Sequence, residues 1–148
     1  MTIPFSGGCA CGAIRYECSA EPAFSWNCHC RDCQRASGGA FCPVLYVPRT
    51  ALTVTGEGKY YDVKAESGNN VSRGFCSQCG SPVFILAELV PHLQGLWAAS
   101  LDNPSLFQPQ VHVWTDRAQP WDYMTPTLAK IGKAPNAEKM QTLLRVQG

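Results

Sequence analysis

The sequence predicts a mainly β domain of antiparallel strands, with one short helix near residue 31 and a candidate helix at the C-terminus. Three observations favour this fold class. Glycine and proline are frequent (13 and 11 of 148 residues), and both interrupt helices and supply turns. Aromatic residues make up 10% of the chain, and apolar residues alternate with polar ones in several short segments. A chain of this length, 45% hydrophobic, can bury one core.

Strands are expected where apolar residues alternate between turn residues. In the first of them Ile14 and Tyr16 share a face. The segments 13–18, 51–55 and 59–63 are expected to form an antiparallel meander. Pro43, in the segment 41–47, requires an edge or a bulge. The candidate strands are 13–18, 41–47, 51–55, 59–63, 71–75, 83–86, 96–100 and 111–115.

Two helices complete the prediction. Residues 31–37 form a short helix that Gly38 and Gly39 end. Asn136 is a candidate N-cap for a final helix that carries Met140, Leu143 and Leu144 on one side.

Charge and hydropathy exclude some partners. The formal net charge is +1 and the basic residues are scattered, so no stripe suited to nucleic acid is present. No apolar run approaches the roughly 20 residues that span a bilayer, and the N-terminal residues lack the features of a signal peptide. We therefore expect a cytoplasmic protein that binds neither nucleic acid nor membrane. An assembly of identical chains is compatible with the sequence.

Nine cysteines are the most informative feature of the composition. Seven of them are crowded at separations of two or three residues, which is typical of metal binding in the cytosol. The alternative is a secreted disulfide protein, but an odd count does not pair completely. Cys18 and Cys42 have no cysteine at ligand spacing and are expected to be buried core residues.

Two of the cysteine pairs have the geometry of half-sites. Cys9 and Cys11 flank one alanine, so in an extended chain both sulfurs project to the same face. Cys76 and Cys79, followed by Gly80, are typical of a knuckle whose sulfurs meet at one point. Two half-sites make one tetrahedral, closed and therefore structural site, for which zinc is the default metal and iron an alternative.

The third cluster supplies three thiols within six residues, Cys28, Cys30 and Cys33. Three protein ligands leave a fourth position open, as in catalytic zinc sites. Alternatively, Asp102 or His112 closes the site. His29 is a less favoured ligand, since alternation directs its ring away from the face that Cys28 and Cys30 share.

The ordered motifs CACG, CHCRDCQRASG, GFCSQCGSPVF, SLDNP and VHVWTDRAQPW resemble the glutathione-dependent formaldehyde-activating family, which shares its domain with centromere protein V. The resemblance runs from about Gly7 to Trp121 and implies a zinc-bearing β-tent. We expect this domain to occupy residues 1–133, and residues 134–148, which the resemblance does not reach, to form a tail packed on it. It also implies two zinc ions per chain. Cys9, Cys11, Cys76 and Cys79 would hold the structural ion, and Cys28, Cys30 and Cys33 the catalytic one.

The resemblance implies that glutathione adds to formaldehyde to give S-hydroxymethylglutathione, or that the reverse cleavage of the carbon–sulfur bond occurs. The corresponding hypothesis is a carbon–sulfur lyase acting on a thiol and an aldehyde. The alternative is a zinc-stabilised binding or scaffold protein without catalysis. An open fourth position beside a pocket favours the enzyme.

Four residues near the motifs are candidates for further roles. Arg31, Arg35 and Arg73 could offset thiolate charge or bind the carboxylates of glutathione, although each could equally be a solvated surface charge. His112 could move a proton, although a structural histidine is the commoner case. The four tryptophans are core candidates, with Trp121 exposed at the end of the sheet.

Overall fold

The computed structural model describes the backbone of residues 1–147 and the side chains of residues 1–144. It contains eleven strands and two α-helices within this range. The elements are β1 (Phe5–Gly8), β2 (Arg15–Cys18), β3 (Phe24–Cys28), α1 (Arg31–Ser37), β4 (Cys42–Pro48), β5 (Leu52–Thr55), β6 (Lys59–Lys64), β7 (Asn70–Phe75), β8 (Pro82–Ala87), β9 (Leu93–Trp97), β10 (Val111–Val113), β11 (Ala129–Lys130) and α2 (Ala137–Gln147).

The strands form two sheets. The small sheet has the order β1-β2-β5, and the large one has the order β11-β10-β3-β4-β9-β8-β7-β6. The predicted mainly β class, the helix over 31–37 and the C-terminal helix are confirmed. A backbone bridge between Gly7 and Leu101 lies outside the named strand pairs and ties β1 to the chain that follows β9.

Strand β4 shows why the centre of the large sheet is buried on both faces. Its successive side chains alternate between two apolar clusters, with Leu45 and Val47 in one and Val44 and Tyr46 in the other. The first cluster lies under the small sheet, which contributes Tyr16. The second is covered in part by α2 through Met140, Leu143 and Leu144, the three residues expected on its apolar side.

Three expectations about the strands are wrong in detail. Residues 59–63 do not continue a meander with β2 and β5, because β6 pairs with β7 in the other sheet. The strand expected over 96–100 lies at Leu93–Trp97, because residues 98–100 form a 3-10 turn. The sheet is not wholly antiparallel, since β10 runs parallel to β3 and β11 after a long connection from β9.

Pro43 lies in a local edge of the sheet. It pairs with Asn27 of β3, but the pairing of β4 with β9 begins only at Val44. At Pro43 the strand therefore has a single neighbour, which meets the expected requirement for proline.

Strands β1 and β3 were not predicted, and each lacks alternation for a physical reason. All five residues of β3 are buried, so a polar face is absent from its sequence FSWNC. Strand β1 ends in two glycines, because a Cβ on Gly7 would lie 2.3 Å from the Ser100 carbonyl oxygen and 2.4 Å from the Tyr16 hydroxyl. The glycines of β1 are therefore explained by the close approach of other parts of the chain, and not by strand propensity.

Helix α1 begins directly after β3. Cys30 is its N-cap, and its Sγ atom accepts a hydrogen bond from the backbone N–H of Cys33. Gly38 ends the helix in the left-handed conformation. The short helix thereby presents residues 30 and 33 next to the end of β3.

Within residues 1–147, no helix combines the length and the apolar character that a bilayer span requires.

Candidate metal centre

The first thiol cluster joins the two sheets. Cys9 and Cys11 lie between β1 and β2, and Cys76 and Cys79 lie between β7 and β8; the four sulfur atoms are within 4.8 Å of one another. The Sγ atom of Cys11 lies 3.7 Å from that of Cys9 and 3.7 Å from that of Cys76. The structure thus brings together two half-sites that are 65 residues apart.

These distances fit a tetrahedral metal. Ligands at about 2.3 Å from zinc in tetrahedral geometry stand about 3.8 Å apart, close to the separations between the sulfurs of Cys9, Cys11 and Cys76. The sulfurs also accept backbone hydrogen bonds, from Ile14 to Cys9 at 3.2 Å and from Gln78 to Cys76 at 3.4 Å. Such donors stabilise thiolates, so the cluster has the chemistry of a closed four-thiolate site.

The knuckle at Cys76 is made by local hydrogen bonds. Gly80, with φ of +77°, donates its N–H to the Cys76 carbonyl at 2.8 Å, which turns the chain back on itself. Ser81 lies at the junction of the two half-sites, with its hydroxyl 3.2 Å from the Cys79 sulfur and accepting the Ala10 N–H at 3.0 Å. The hydrogen bond from the Ser81 side chain lowers the pKa of Cys79 to about 5.

The second thiol cluster is local. The sulfurs of Cys28, Cys30 and Cys33 lie within 4.8 Å of one another, at the junction of β3 and α1. Hydrogen bonds with the side chains of Cys28 and Cys30 hold the pKa of Cys33 well below its ordinary value. No further cysteine, histidine or carboxylate within the described part of the chain joins this group. The cluster therefore offers three thiols and an open side.

The two residues considered as a fourth ligand are engaged elsewhere. Asp102 accepts hydrogen bonds from Arg15 at 2.8 Å and from the Ser6 hydroxyl at 2.7 Å, beside the small sheet. His112 Nδ1 lies 3.0 Å from His29 Nε2. Neither belongs to the three-thiol group, because each is held by partners on other elements.

His29 and His112 form a buried polar pair. His29 is fully buried, and its Nδ1 atom lies 3.7 Å from a carboxylate oxygen of Asp122. Burial lowers the pKa of both histidines, which favours their neutral forms. Since both ring nitrogens of His29 face His112 and Asp122, its ring is directed away from the face that Cys28 and Cys30 were expected to share. His112 lines neither of the two cavities described below.

Arg73 of β7 lies against the three-thiol cluster. Its guanidinium donates to the Cys33 sulfur at 3.2 Å and lies 4.0 Å from the Cys30 sulfur. Burial acts to lower the pKa of Arg73, but attraction to the Cys33 thiolate outweighs it and raises the pKa. Arg73 is therefore a fixed positive charge beside three potential anions.

The other two arginines are placed differently. Arg35, on the exposed side of α1, lines an open cleft between this helix and strands β6 to β8. Arg31 donates to the Gln34 side chain and does not line the cleft. Of the three arginines, only Arg73 contacts sulfur.

Two cavities meet at Arg73. The first is the open cleft, about 490 Å³ in volume, whose walls include Asp32, Arg35, Tyr61 and Trp97. The second, which we call the inner chamber, has a volume of about 100 Å³ and is lined by all three sulfurs of the cluster. The remaining inner walls are chiefly apolar and include Trp26, Val44, Tyr46, Val71, Ile85 and Val113. The thiols thus line the chamber, and Arg73 places a positive charge on the wall that the chamber shares with the cleft.

The chamber walls were not predicted from the sequence. They come from strands β3, β4, β7, β8 and β10 and from residues 134 and 135, which share no spacing pattern.

The remaining cysteines and the tryptophans lie where the sequence predicts. Cys18 and Cys42 are fully buried, Trp26 and Trp97 are buried, and Trp121 is exposed. None of the nine cysteines, all of which lie in the described range, forms a disulfide.

Comparisons with known proteins identify the family. The family model described as glutathione-dependent formaldehyde-activating enzyme matches residues 4–117. The chain belongs to this family. A candidate glutathione-dependent formaldehyde-activating enzyme of Halomonas elongata is 28% identical over 121 residues, which cover 78% of this chain and 77% of that protein.

A crystal structure of a Rhodobacter sphaeroides protein has the same fold. The TM-score is 0.54 at 23% identity, with 70% of this chain and 96% of that chain covered. The match to the formaldehyde-activating family includes all seven clustered cysteines and Arg73. Residues 134 and 135 of the chamber lie beyond it.

Proposed function

We propose that this chain is a zinc-dependent carbon–sulfur lyase that forms or cleaves a thiol–aldehyde adduct such as S-hydroxymethylglutathione. The observation that carries the proposal is the three-thiol cluster with its open side facing a cavity and Arg73 beside it. Membership of the formaldehyde-activating family supports the choice of thiol and aldehyde as reactants. Reduced thiols and the absence of disulfides agree with a cytoplasmic location.

The two clusters would hold two zinc ions with different roles. Cys9, Cys11, Cys76 and Cys79 supply four sulfurs, which completes a tetrahedral structural site. Cys28, Cys30 and Cys33 supply three, which leaves one position for a reactant. A zinc ion held by these three thiolates would supply Lewis acidity, lowering the pKa of a reactant thiol or polarising a carbonyl oxygen.

Arg73 balances the charge of the site. Three thiolates and a divalent ion carry a net charge of −1, and a reactant thiolate makes it −2. The Arg73 guanidinium, 3.2 Å from the Cys33 sulfur, offsets part of this charge. Because the same side chain lines the cleft, it stabilises anionic charge on both sides of the reacting atoms.

The proposed reaction is a simple addition. In the forward direction the thiolate sulfur donates an electron pair to the carbonyl carbon, the C–S bond forms, and the C=O π pair moves to oxygen. The oxygen then takes a proton from water, so no oxidant or reductant is required. Arg35, at the edge of the cleft, is positioned to bind a carboxylate of a thiol such as glutathione.

Exchange spectroscopy by NMR tests the proposal. The protein, loaded with zinc, is added to glutathione and formaldehyde at equilibrium, and the rate of exchange between free and adduct carbon is measured against the spontaneous rate. Acceleration is expected for the parent and for Cys18→Ala, which changes a buried cysteine outside both clusters. Cys30→Ser is expected to abolish it.

Zinc analysis accompanies the rate measurement, with two ions per chain expected for the parent. A parent that binds two zinc ions without accelerating exchange would favour the alternative of a zinc-stabilised binding or scaffold protein. Full activity in a folded Cys30→Ser variant would show that the three-thiol cluster is not the catalyst.

A further inference from the structure

The inner chamber is larger and more apolar than formaldehyde requires. Its walls include the buried residues Trp26, Val44, Tyr46, Ile85 and Val113, together with the three cysteines of the cluster. Ser67 and Leu89, which also line it, are exposed. A group that occupies the chamber therefore meets an apolar surface next to the thiols.

The outer wall of the chamber is held in place by an unusual backbone conformation. Trp114, which lines the chamber, is the one non-glycine residue in the described chain with positive φ, at 57°. Its N–H donates to the Lys133 carbonyl at 3.3 Å, and the next N–H, of Thr115, donates to Ile131 at 3.2 Å. A strained residue maintained by surrounding structure is characteristic of a binding site.

The same hydrogen bonds position a wall that lies outside the family match. They fix the segment that leads to Ala134 and Pro135, and both of these residues line the chamber. The family model ends at residue 117. This part of the binding surface is therefore contributed by the C-terminal segment.

The volume sets the size of the group that fits. The chamber measures about 100 Å³. An apolar cavity of about 150 Å³ holds benzene, which has six heavy atoms, so about 100 Å³ has room for roughly three or four. A propyl group has this size, whereas the carbon of the formaldehyde adduct carries no alkyl group that could fill the chamber.

We propose that the inner chamber receives a short unbranched alkyl group carried by the reacting carbon, so that the preferred aldehyde is a short-chain aliphatic one such as butanal. The inference rests on the proposed function, since it assigns the substrate class of the same site. The alkyl group does not react: the C–S bond forms and the carbonyl oxygen takes a proton from water, as for formaldehyde.

Binding of unreactive thioethers tests the inference without turnover. S-butylglutathione and S-methylglutathione differ by the propyl group that the chamber is expected to hold, and their dissociation constants are measured by isothermal titration calorimetry on the zinc-loaded protein. Each buried methylene contributes roughly a fourfold gain in affinity. S-butylglutathione is therefore expected to bind about 15- to 60-fold more tightly, for two to three buried methylenes.

Chamber variants test the location of the alkyl group. Ala134→Leu and Val71→Phe place extra carbon in the chamber from two different walls and are expected to reduce the preference for S-butylglutathione to less than threefold. Ala137→Leu, three residues further on and outside the chamber, is the matched control and should leave it unchanged. If one chamber variant does not fold, the other still decides the result.

Exchange rates with formaldehyde and butanal separate this inference from the proposed function. Acceleration with formaldehyde combined with equal binding of the two thioethers overturns the alkyl assignment alone. Tighter binding of S-butylglutathione without acceleration of either aldehyde supports the chamber assignment and overturns the lyase. Failure to bind either thioether, with no acceleration, overturns both. A preference that survives both folded chamber variants places the alkyl group elsewhere and overturns the assignment.

Discussion

The guanidinium of Arg73 lies 3.2 Å from the Sγ atom of Cys33 and joins strand β7 to the first turn of helix α1. The two residues are 40 positions apart in the chain. A charged hydrogen bond of this kind, largely shielded from solvent, is stronger than one at the surface. The contact between Arg73 and Cys33 therefore holds the Cys33 sulfur in position and also places a positive charge beside the cluster.

The first prediction concerns this contact. Arg73→Gln removes the positive charge while keeping a hydrogen-bond donor, and we expect kcat/KM for the glutathione–aldehyde adduct to fall about 10- to 100-fold, because charged hydrogen bonds contribute about 1.5–3 kcal/mol. Zinc at the three-thiol cluster should also be lost to a weaker chelator. Arg73→Lys should recover part of both effects.

Arg35→Gln is the matched control for the arginine prediction. Arg35 lines the cleft but is not among the residues bonded to sulfur in the described structure. Its replacement should raise KM for glutathione and leave zinc retention unchanged. Equal zinc retention in the parent and Arg73→Gln would contradict the proposed role of Arg73.

The second prediction separates the two clusters by stability. Cys76→Ser breaks the site that joins segments 65 residues apart, and the zinc-binding free energy of such sites, about 10–16 kcal/mol, is as large as the roughly 5–15 kcal/mol that stabilises a whole domain. The variant should be unfolded by near-UV circular dichroism. Cys30→Ser damages a cluster within one short segment and should remain folded with one zinc ion. Unfolding of both variants would make the second cluster structural too.

The third prediction concerns pH. Hydrogen bonds from Arg15 and Ser6 lower the pKa of Asp102 to about 2. A carboxylate with a depressed folded-state pKa contributes stability above the unfolded value of about 4, and this contribution is lost as the pH falls from about 4 to about 2. In a carbon-13 NMR titration, the Asp102 carboxyl of the parent should therefore stay ionised down to the lowest pH at which the zinc-loaded protein remains folded. In Arg15→Gln the same carboxyl should begin to protonate nearer 4; identical titration curves for the two proteins would remove Arg15 as the main cause.

The fourth prediction concerns the junction of β1 with the chain after β9. Gly7→Ala forces a Cβ to within 2.3 Å of the Ser100 carbonyl oxygen, so the backbone must shift. We expect the free energy of unfolding to fall by about 1–3 kcal/mol, as for other overpacked sites. Gly39→Ala is the control, since its nearest contact would be 3.8 Å away and the change should be small. Urea denaturation of the zinc-loaded proteins measures both.

Local chemistry made much of the molecule predictable. The ligand pairs Cys9/Cys11 and Cys76/Cys79, the end of α1 at Gly38, and the apolar side of α2 are properties of neighbouring residues. Spacing alone left open which pairs share a metal, because that depends on how the chain folds. The family resemblance supplied this pairing, and the distances between the sulfurs agree with it.

Features made by distant segments were not predictable. Strand β3 lacks alternation because both of its faces are covered, and β1 is dominated by glycine because another part of the chain approaches it closely. The contact of Arg73 with Cys33 and the lining of the inner chamber require tertiary structure, so no spacing in the sequence announces them. Asp102, a candidate ligand by composition, is paired with Arg15 instead.

The unequal reach of the two thiol clusters sets an order of assembly during synthesis on the ribosome. Cys28, Cys30 and Cys33 emerge together, so this cluster can capture metal as soon as one short segment is exposed. Cys9 and Cys11 must wait for Cys79, by which time β1 to β7 have been made. The N-terminal thiols therefore lack their partners while about 70 residues are added. With the proposed zinc occupancy, supply of the metal to the nascent chain, rather than to the finished protein, is the step at which scarcity would first reduce the yield of folded protein.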